Sequence, residues 1–376
     1  MDDVPLFEIG WDGDDVKSVV DSVTRGSFWA NGPYINEFEQ KLESYLGVDH
    51  AVVFNSGTSA LSCALEAHGV RPGDEVIVPS FTFISTANAA RIVGAEPRFV
   101  DIERERYGLD PDEVRDAIND DTAAIVPVHY SGAPCRIHEI REIARGNDIP
   151  VIEDAAEAFG TKANGEMAGS IGSSGMLSFC QNKVITTGEG GAIVTDDTEL
   201  AHELELLRSH GRSSGEYFDS ASSGDYVSLG YNFRMPDVAA ALGVSQIEKV
   251  EELIDRRQTR ARWYIEQLSD LDSVRVPNRP DDGRHVYQLF TVTLREGVDR
   301  DHVIDLLAER GISSKVYFDP VHQSEYYTTN PANKSQLPVT EDIANRVLSL
   351  PMSTDFSRDT VERVSDAVAS AVERAQ

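Results

Sequence analysis

Lysine is scarce in this 376-residue chain, which has only seven, and its three cysteines, Cys63, Cys135 and Cys180, lie far apart. An odd, scattered set of thiols excludes a disulfide framework and offers no zinc spacing, so no metal is expected. No Lys/Arg-rich run is present either. Nucleic-acid binding draws on a basic stripe and counterion release and is therefore excluded as a function class. No stretch approaches the roughly 18 apolar residues of a membrane span, and the opening "MDDVPLFEIGWDGDD" lacks the apolar core of a signal peptide. The expectation is a soluble, cytoplasmic protein with no membrane partner.

Negative charge is what the chain has in excess: 64 Asp+Glu against 34 Lys+Arg, a formal net charge of -30. With arginine preferred over lysine, such a surface stays hydrated in concentrated salt, and a halophilic source is expected. At molar ionic strength the Debye length is about 3 Å, so the self-repulsion of this surface is screened. An apolar content of 40% is ample for a buried core, and the length suggests about two domains.

From about Ala51 to Asp154, β-rich runs alternate with helical stretches, the pattern of βαβ units in a parallel sheet. The runs are "AVVFN", "EVIVPS", "PRFVDI", "TAAIVPVHY" and "PVIED"; helices are expected over Thr58 to His68, Asp110 to Ile118 and Ile137 to Arg145. Two further strands, "GMLSFC" and "GAIVTD", flank Lys183. After "NFRMPD" one long helical pattern runs to about Leu268, with Pro236 as at a helix's first turn. The division is placed near residue 245, with a large α/β domain over 1–245 and a smaller α+β domain over 246–376. The latter is expected to hold strands "SVRVP", "YQLFTVTL" and "SSKVYF" and helices over Arg300 to Arg310 and Asp359 to Ala375. The segment Ser213 to Tyr226 reads as a long loop of the kind that is often functional.

Three stretches carry chemistry. In "NSGTSAL", Asn55 to Leu61, a strand passes into a helix through Ser, Gly and Thr; the helix-start amides suit a phosphate, and Gly57 permits close backbone approach. The same residues also read as an ordinary N-cap. "PVIEDAAEAFG" ends an apolar strand in Glu153 and Asp154, at the carboxyl edge of a sheet where ligands bind, and a carboxylate there can keep a heterocyclic nitrogen protonated. Asp154 as a turn cap is the plain alternative. Lys183, in "SFCQNKVITTGEGGA", sits between strands where desolvation favours the neutral, nucleophilic amine that forms Schiff bases. A chance lysine beside a hairpin, with turn glycines of positive φ after it, is its bland counterpart. Taken together, a phosphate cradle, a carboxylate and a Schiff-base lysine are what pyridoxal phosphate requires. The dinucleotide, Walker and HExxH signatures are absent.

Six ordered blocks extend that reading: "GPYINEFEQKLESYLGVDHAVVFNSGTSAL", "PSFTFISTANAA", "VIEDAAEAFG", "GSIGSSGMLSFCQNKVITTGEGGAIVT", "LGYNFRMPDVAAALG" and "KVYFDPVH". In these the chain resembles, over nearly its whole length, the DegT/DnrJ/EryC1/StrS family of pyridoxal-phosphate sugar aminotransferases. The resemblance implies fold type I, like aspartate aminotransferase, with a mixed, mostly parallel sheet in the large domain. It implies that Lys183 holds the cofactor, that Asp154 pairs with the pyridine nitrogen, that Gly57, Thr58 and Ser178 bind phosphate, and that Phe81 stacks on the ring. Asn232 would reach the phosphate from the neighbouring subunit of a homodimer with shared active sites. Glu157 stands where the family commonly has glutamine near the cofactor's phenolic oxygen, and a carboxylate there is repulsive unless protonated or bridged. His129 and Arg234 match positions near cofactor or substrate, each also readable as a structural residue.

Lysine at 183 argues against the family's dehydratase branch, where histidine takes its place. The implied reaction moves an amino group from L-glutamate, or glutamine, to a nucleotide-linked keto-sugar, with an NDP-4-keto-6-deoxyhexose for surface glycan or glycoprotein synthesis as the expected class. A basic patch from Arg234, Lys162 or Arg212 is expected to receive the diphosphate. Two rivals stand beside this: another fold-type-I enzyme acting on free amino acids, and a non-catalytic regulatory relative.

Overall fold

The β-branched runs of the first half pair in the order that places their carboxyl ends together. In the computed structural model, which describes residues 3–213, 225–278, 283–329 and 335–376, they form β1 (His50–Phe54), β2 (Glu75–Pro79), β3 (Glu96–Val100), β4 (Thr122–Ile125) and β5 (Ile152–Asp154). A small hairpin, β6 (Lys162–Ala163) and β7 (Glu166–Met167), precedes β8 (Ser174–Ser178) and β9 (Gly191–Thr195). The orders β1-β9-β8-β5 and β3-β2-β4 are joined by parallel bridges from Ile125 to Val151 and from Val128 to Asp154. Only β9 runs against its neighbours in this sheet, so it is mixed and mostly parallel, as expected.

Both faces of the sheet are covered, which is why its strands read as continuous apolar runs. Along β1, Val52 and Phe54 enter one core with Leu61 and Leu65 of the helix Gly57–Ala67. Ala51 and Val53 enter the opposite core with Phe38 and Leu42 of the helix Pro33–Leu46.

The expected single helix after Pro236 is two, Asp237–Glu248 and Val250–Leu268, broken at Lys249. The Lys249 ammonium lies 2.6 Å from carboxylate oxygens of both Asp12 and Asp15, tying the break to the helix Gly13–Thr24. Val250, Leu253 and Ile254 belong to the large-domain core, whereas Ala261, Tyr264 and Leu268 belong to the small one. The helix Val250–Leu268 thus contributes its first part to one core and its second part to the other. Val4 bridges to Ile312, so the N-terminal segment joins the small core as well.

The second sheet consists of β10 (Val274–Arg275), β12 (Phe290–Leu294) and β13 (Val347–Leu350) in the antiparallel order β10-β12-β13, while β11 (Gly283–Arg284) pairs with β6. Helices Arg300–Ala308 and Arg358–Arg374 pack on it. "SSKVYF" is not the expected strand: it makes one bridge, Lys315 to Ser349, and β13 takes the place in the sheet. The loop expectation over Ser213 to Tyr226 falls almost wholly outside the described residues.

Candidate active site

The three chemical stretches end at the same edge of the large sheet. At the phosphate candidate, Ser56 caps the helix Gly57–Ala67 by accepting the Ser59 N–H at 3.1 Å, so the N-cap reading is correct as local structure. The amides of Gly57 and Thr58 precede the first intrahelical bond and remain available to an anion, with the positive end of the helix dipole behind them. A Cβ on Gly57 would stand 3.1 Å from Met176 Sδ and 3.4 Å from Ser178 Cβ, so this helix start is seated directly against β8. Gly191 makes room for it: a Cβ there would fall 2.6 Å from Gly57 N. Of the glycines after Lys183, Gly188 has the positive φ of 83° that a turn demands, while Gly191 serves close approach.

Glu153 and Asp154, adjacent in sequence, point to opposite duties because strand side chains alternate. Glu153 is wholly buried and accepts N–H bonds from Gly169, Ile171 and Gly172 at 2.9, 2.6 and 2.6 Å. His129 Nε2 lies 2.7 Å from Glu153 Oε2, and His129 Nδ1 accepts the Cys135 N–H at 3.1 Å. Both ring nitrogens of His129 are thus engaged inside the protein, in keeping with its reading as a structural residue. Asp154, by contrast, accepts from the Thr86 hydroxyl at 2.8 Å and from the Ala156 amide at 3.1 Å. Burial pushes the Asp154 carboxyl above its ordinary value, against the opposing pull of Thr86, Ala156 and the Lys183 charge.

Lys183 is set on the turn between β8 and β9, mostly buried, with its Nζ 3.7 Å from Glu157 Oε1. The turn is pinned from the small domain by Gln288, whose side-chain amide donates to the Asn182 carbonyl. Glu157 Oε2 accepts the Ser131 N–H at 2.8 Å. Its carboxyl is raised by burial, and the Lys183 charge and Ser131 amide only partly offset that. Lys183, Asp154 and Glu157 therefore form one electrostatically coupled group.

Phe81 does not fit its assigned role. It is 0% exposed, with Tyr130 at 4.9 Å and Tyr107 at 5.9 Å between ring centroids, so its faces are occupied. Two residues on, Phe83 is 57% exposed, and its carbonyl accepts the N–H of Thr86, the residue that holds Asp154. An aromatic surface for a planar ligand is thus offered by Phe83. Arg234 Nη1 donates to Ser209 Oγ at 2.9 Å, and its backbone bridges to Phe54 while Asn55 N–H bonds Phe233 O at 2.8 Å. The "NFR" segment accordingly runs beside the phosphate cradle, with Asn232 exposed. Lys162 lies on the β6 hairpin paired to Arg284, and Arg212 adjoins the segment outside the described residues.

This donor set fits pyridoxal phosphate: free helix-start amides beside a serine, a buried carboxylate fixed at two points, and a lone amine on a braced turn. Residues 12–369 match the model of the DegT/DnrJ/EryC1/StrS aminotransferase family. The chain belongs to that family. It is 37% identical over 374 residues, 98% of this chain and 99% of the other, to GDP-perosamine synthase of Caulobacter vibrioides. Its fold is similar to DesV of S. venezuelae, with a TM-score of 0.92, 32% identity and full coverage of both chains (100%). It is similar also to the PLP-form of a putative sugar aminotransferase, Spr1654, of Streptococcus pneumoniae, at a TM-score of 0.94 and 26% identity over 100% of each chain. The chain is therefore a fold-type-I, pyridoxal-phosphate-dependent aminotransferase.

Proposed function

We propose that this aminotransferase moves an amino group from L-glutamate or L-glutamine to a nucleotide-linked keto-sugar, an NDP-4-keto-6-deoxyhexose, for surface glycan or glycoprotein synthesis. The observation that carries this reading is the convergence of Lys183, Asp154 and Glu157 beside the Gly57–Ser178 cradle, in a chain whose relative over 98% of its length is a sugar-nucleotide enzyme by name.

Pyridoxal phosphate, when bound, supplies the electron sink that makes the donor's α-proton removable. The residues do the rest. Lys183 would hold the cofactor, and its Nζ, once free, would take the proton from the donor carbon. In the second half-reaction the same amine returns a proton to the former keto carbon of the sugar. Asp154, oriented by Thr86 and Ala156, would keep the ring nitrogen protonated. The amides of Gly57 and Thr58 and the Ser178 hydroxyl would bind the phosphate, and Phe83 would offer its ring to the cofactor. Glu157, held by Ser131, stands by the Lys183 amine, where its carboxyl must carry or share a proton to sit near a phenolic oxygen.

The functional unit is a homodimer in which Asn232 of each chain serves the other's phosphate. Supporting this, Tyr226, Val227 and Leu229 lie exposed just before Asn232, and Phe28 and Trp29 are exposed beside the helix that follows it. Such apolar exposure marks an interaction surface. No described helix is long and apolar enough to cross a membrane, and a cytoplasmic, salt-rich setting suits the charge.

Borohydride reduction followed by peptide mapping tests the site, with Lys183 as the expected modified residue. Assay of the reduced-amine form of the enzyme against a panel of nucleotide-linked keto-sugars tests the substrate class. A label on another lysine would overturn the site, and turnover with free keto acids alone would overturn the sugar assignment.

A further inference from the structure

A cluster of four arginines lies away from Lys183. A cavity of about 550 Å³ on the small domain is lined by Arg104, Arg275, Arg295 and Arg346. None of the residues assigned above to cofactor or substrate lines it. Asp272 also lines the cavity, and Asp342 is shared by Arg104 at 2.5 Å and Arg346 at 2.7 Å. Four guanidinium groups against two carboxylates leave a local positive excess in a chain of formal charge -30.

Their hydrogen-bonding capacity is only partly used. Arg275 donates to the Tyr107 hydroxyl at 2.6 Å and to the Arg104 carbonyl at 2.9 Å, which fixes its plane at the cavity wall. Arg346 Nε is buried and has no acceptor among the described residues. The Arg295 guanidinium makes no hydrogen bond or ion pair among them either. A buried N–H left without a partner is costly, and an anion in the cavity would supply one. The rest of the lining mixes the hydroxyl residues Ser269, Ser273 and Thr293 with the aliphatic Val274, Val276, Leu294 and Ile343. The volume exceeds what a lone phosphate fills and falls in the range of small-organic-ligand sites.

We infer that this cavity is a second ligand site that binds a phosphorylated organic anion of nucleotide size, its phosphates on Arg295, Arg346 and Arg275 and its planar body against Val274 and Val276 in the mixed remainder of the lining. The inference stands independently of the transamination reading, because no group is shared between the two sites.

Photolabelling with azido-ADP at the salt concentration where the enzyme is folded, followed by peptide mapping, tests it. Label is expected on the peptides spanning 269–276 or 293–298, with competition by ADP and much weaker competition by adenosine or by pyrophosphate alone. Arg295→Glu, at an exposed position, should weaken labelling by about tenfold or more, since one charge-assisted contact becomes a repulsion. The rate of the half-reaction with L-glutamate should be unchanged in that variant. Label confined to peptides around Gly57 and Lys183, or equal labelling of Arg295→Glu, would overturn the proposal. Equal competition by adenosine would remove the phosphate recognition, and equal competition by pyrophosphate the planar body.

Discussion

Lys183 Nζ stands 3.7 Å from Glu157 Oε1, so the amine that defines the site has a buried carboxyl for its nearest charged neighbour. That distance is a charge contact rather than a tight hydrogen bond. The amine is therefore held near the carboxyl without being locked to it, as a group that must swing between bound and free positions requires.

Replacing Lys183 with alanine should leave a folded protein that still takes up the cofactor through the cradle and Asp154, yet releases it on dialysis. Turnover should fall on the order of 10³-fold or more, since the proton carrier is gone. Single-turnover absorbance measurements with L-glutamate check this, and retained turnover would break the mechanism.

Glu157→Gln should change how stability of the cofactor-free protein depends on pH. The folded-state carboxyl is raised, chiefly by burial, so between its ordinary and its raised pKa the folded protein binds more protons than the unfolded chain. By linkage, stability then falls as pH rises through that window. The glutamine variant should lack this slope and gain in stability relative to the parent as pH rises through the window. Denaturant titrations across the acid-to-neutral range read the difference directly. Parallel curves for the two proteins would show that Glu157 is not the titrating group.

Phe81 and Phe83 should separate stability from binding. Phe81→Ala removes a wholly buried ring and should cost about 3–5 kcal/mol of stability. Phe83→Ala, at a half-exposed position, should leave the melting temperature nearly unchanged and weaken cofactor affinity by about tenfold. Thermal melts and cofactor titrations on the two variants give a crossed result if the assignment is right, and the same result twice if it is wrong.

The site was legible where chemistry forced residue choice. A lysine in a chain with seven, a glycine at a helix start and an acid at a strand end are each unusual enough to be seen in one sequence. The exposure of Phe83, proposed above for the ring face, was not foreseen because β2 ends at Pro79, so the alternation that would separate a core ring from an exposed one no longer applies at 81 and 83. Thr86 and Gln288 act through hydrogen bonds between elements distant in sequence, and spacing carries no trace of such contacts. The small sheet was half visible: "VLSL", two residues after the helix Pro338–Ala344, was not singled out as a strand, whereas "SSKVYF" has strand composition but a single bridge. Tertiary pairing, not propensity, decided between them.

Salt dependence provides the widest test of the surface. Most ion pairs here join partly exposed side chains, for example Arg115 with Asp112 and Arg358 with Glu266, and such pairs contribute little. Screening them therefore costs little. Screening the repulsion of a -30 surface gains more, because at molar salt its reach shrinks to about 3 Å. The melting temperature of the cofactor-bound enzyme should accordingly rise by on the order of 10 °C from low to molar KCl. Circular-dichroism melts over a salt series measure it. A melting temperature that stays flat or falls with salt would mean that the exposed pairs outweigh the net charge, and the salt-rich setting would lose its physical basis.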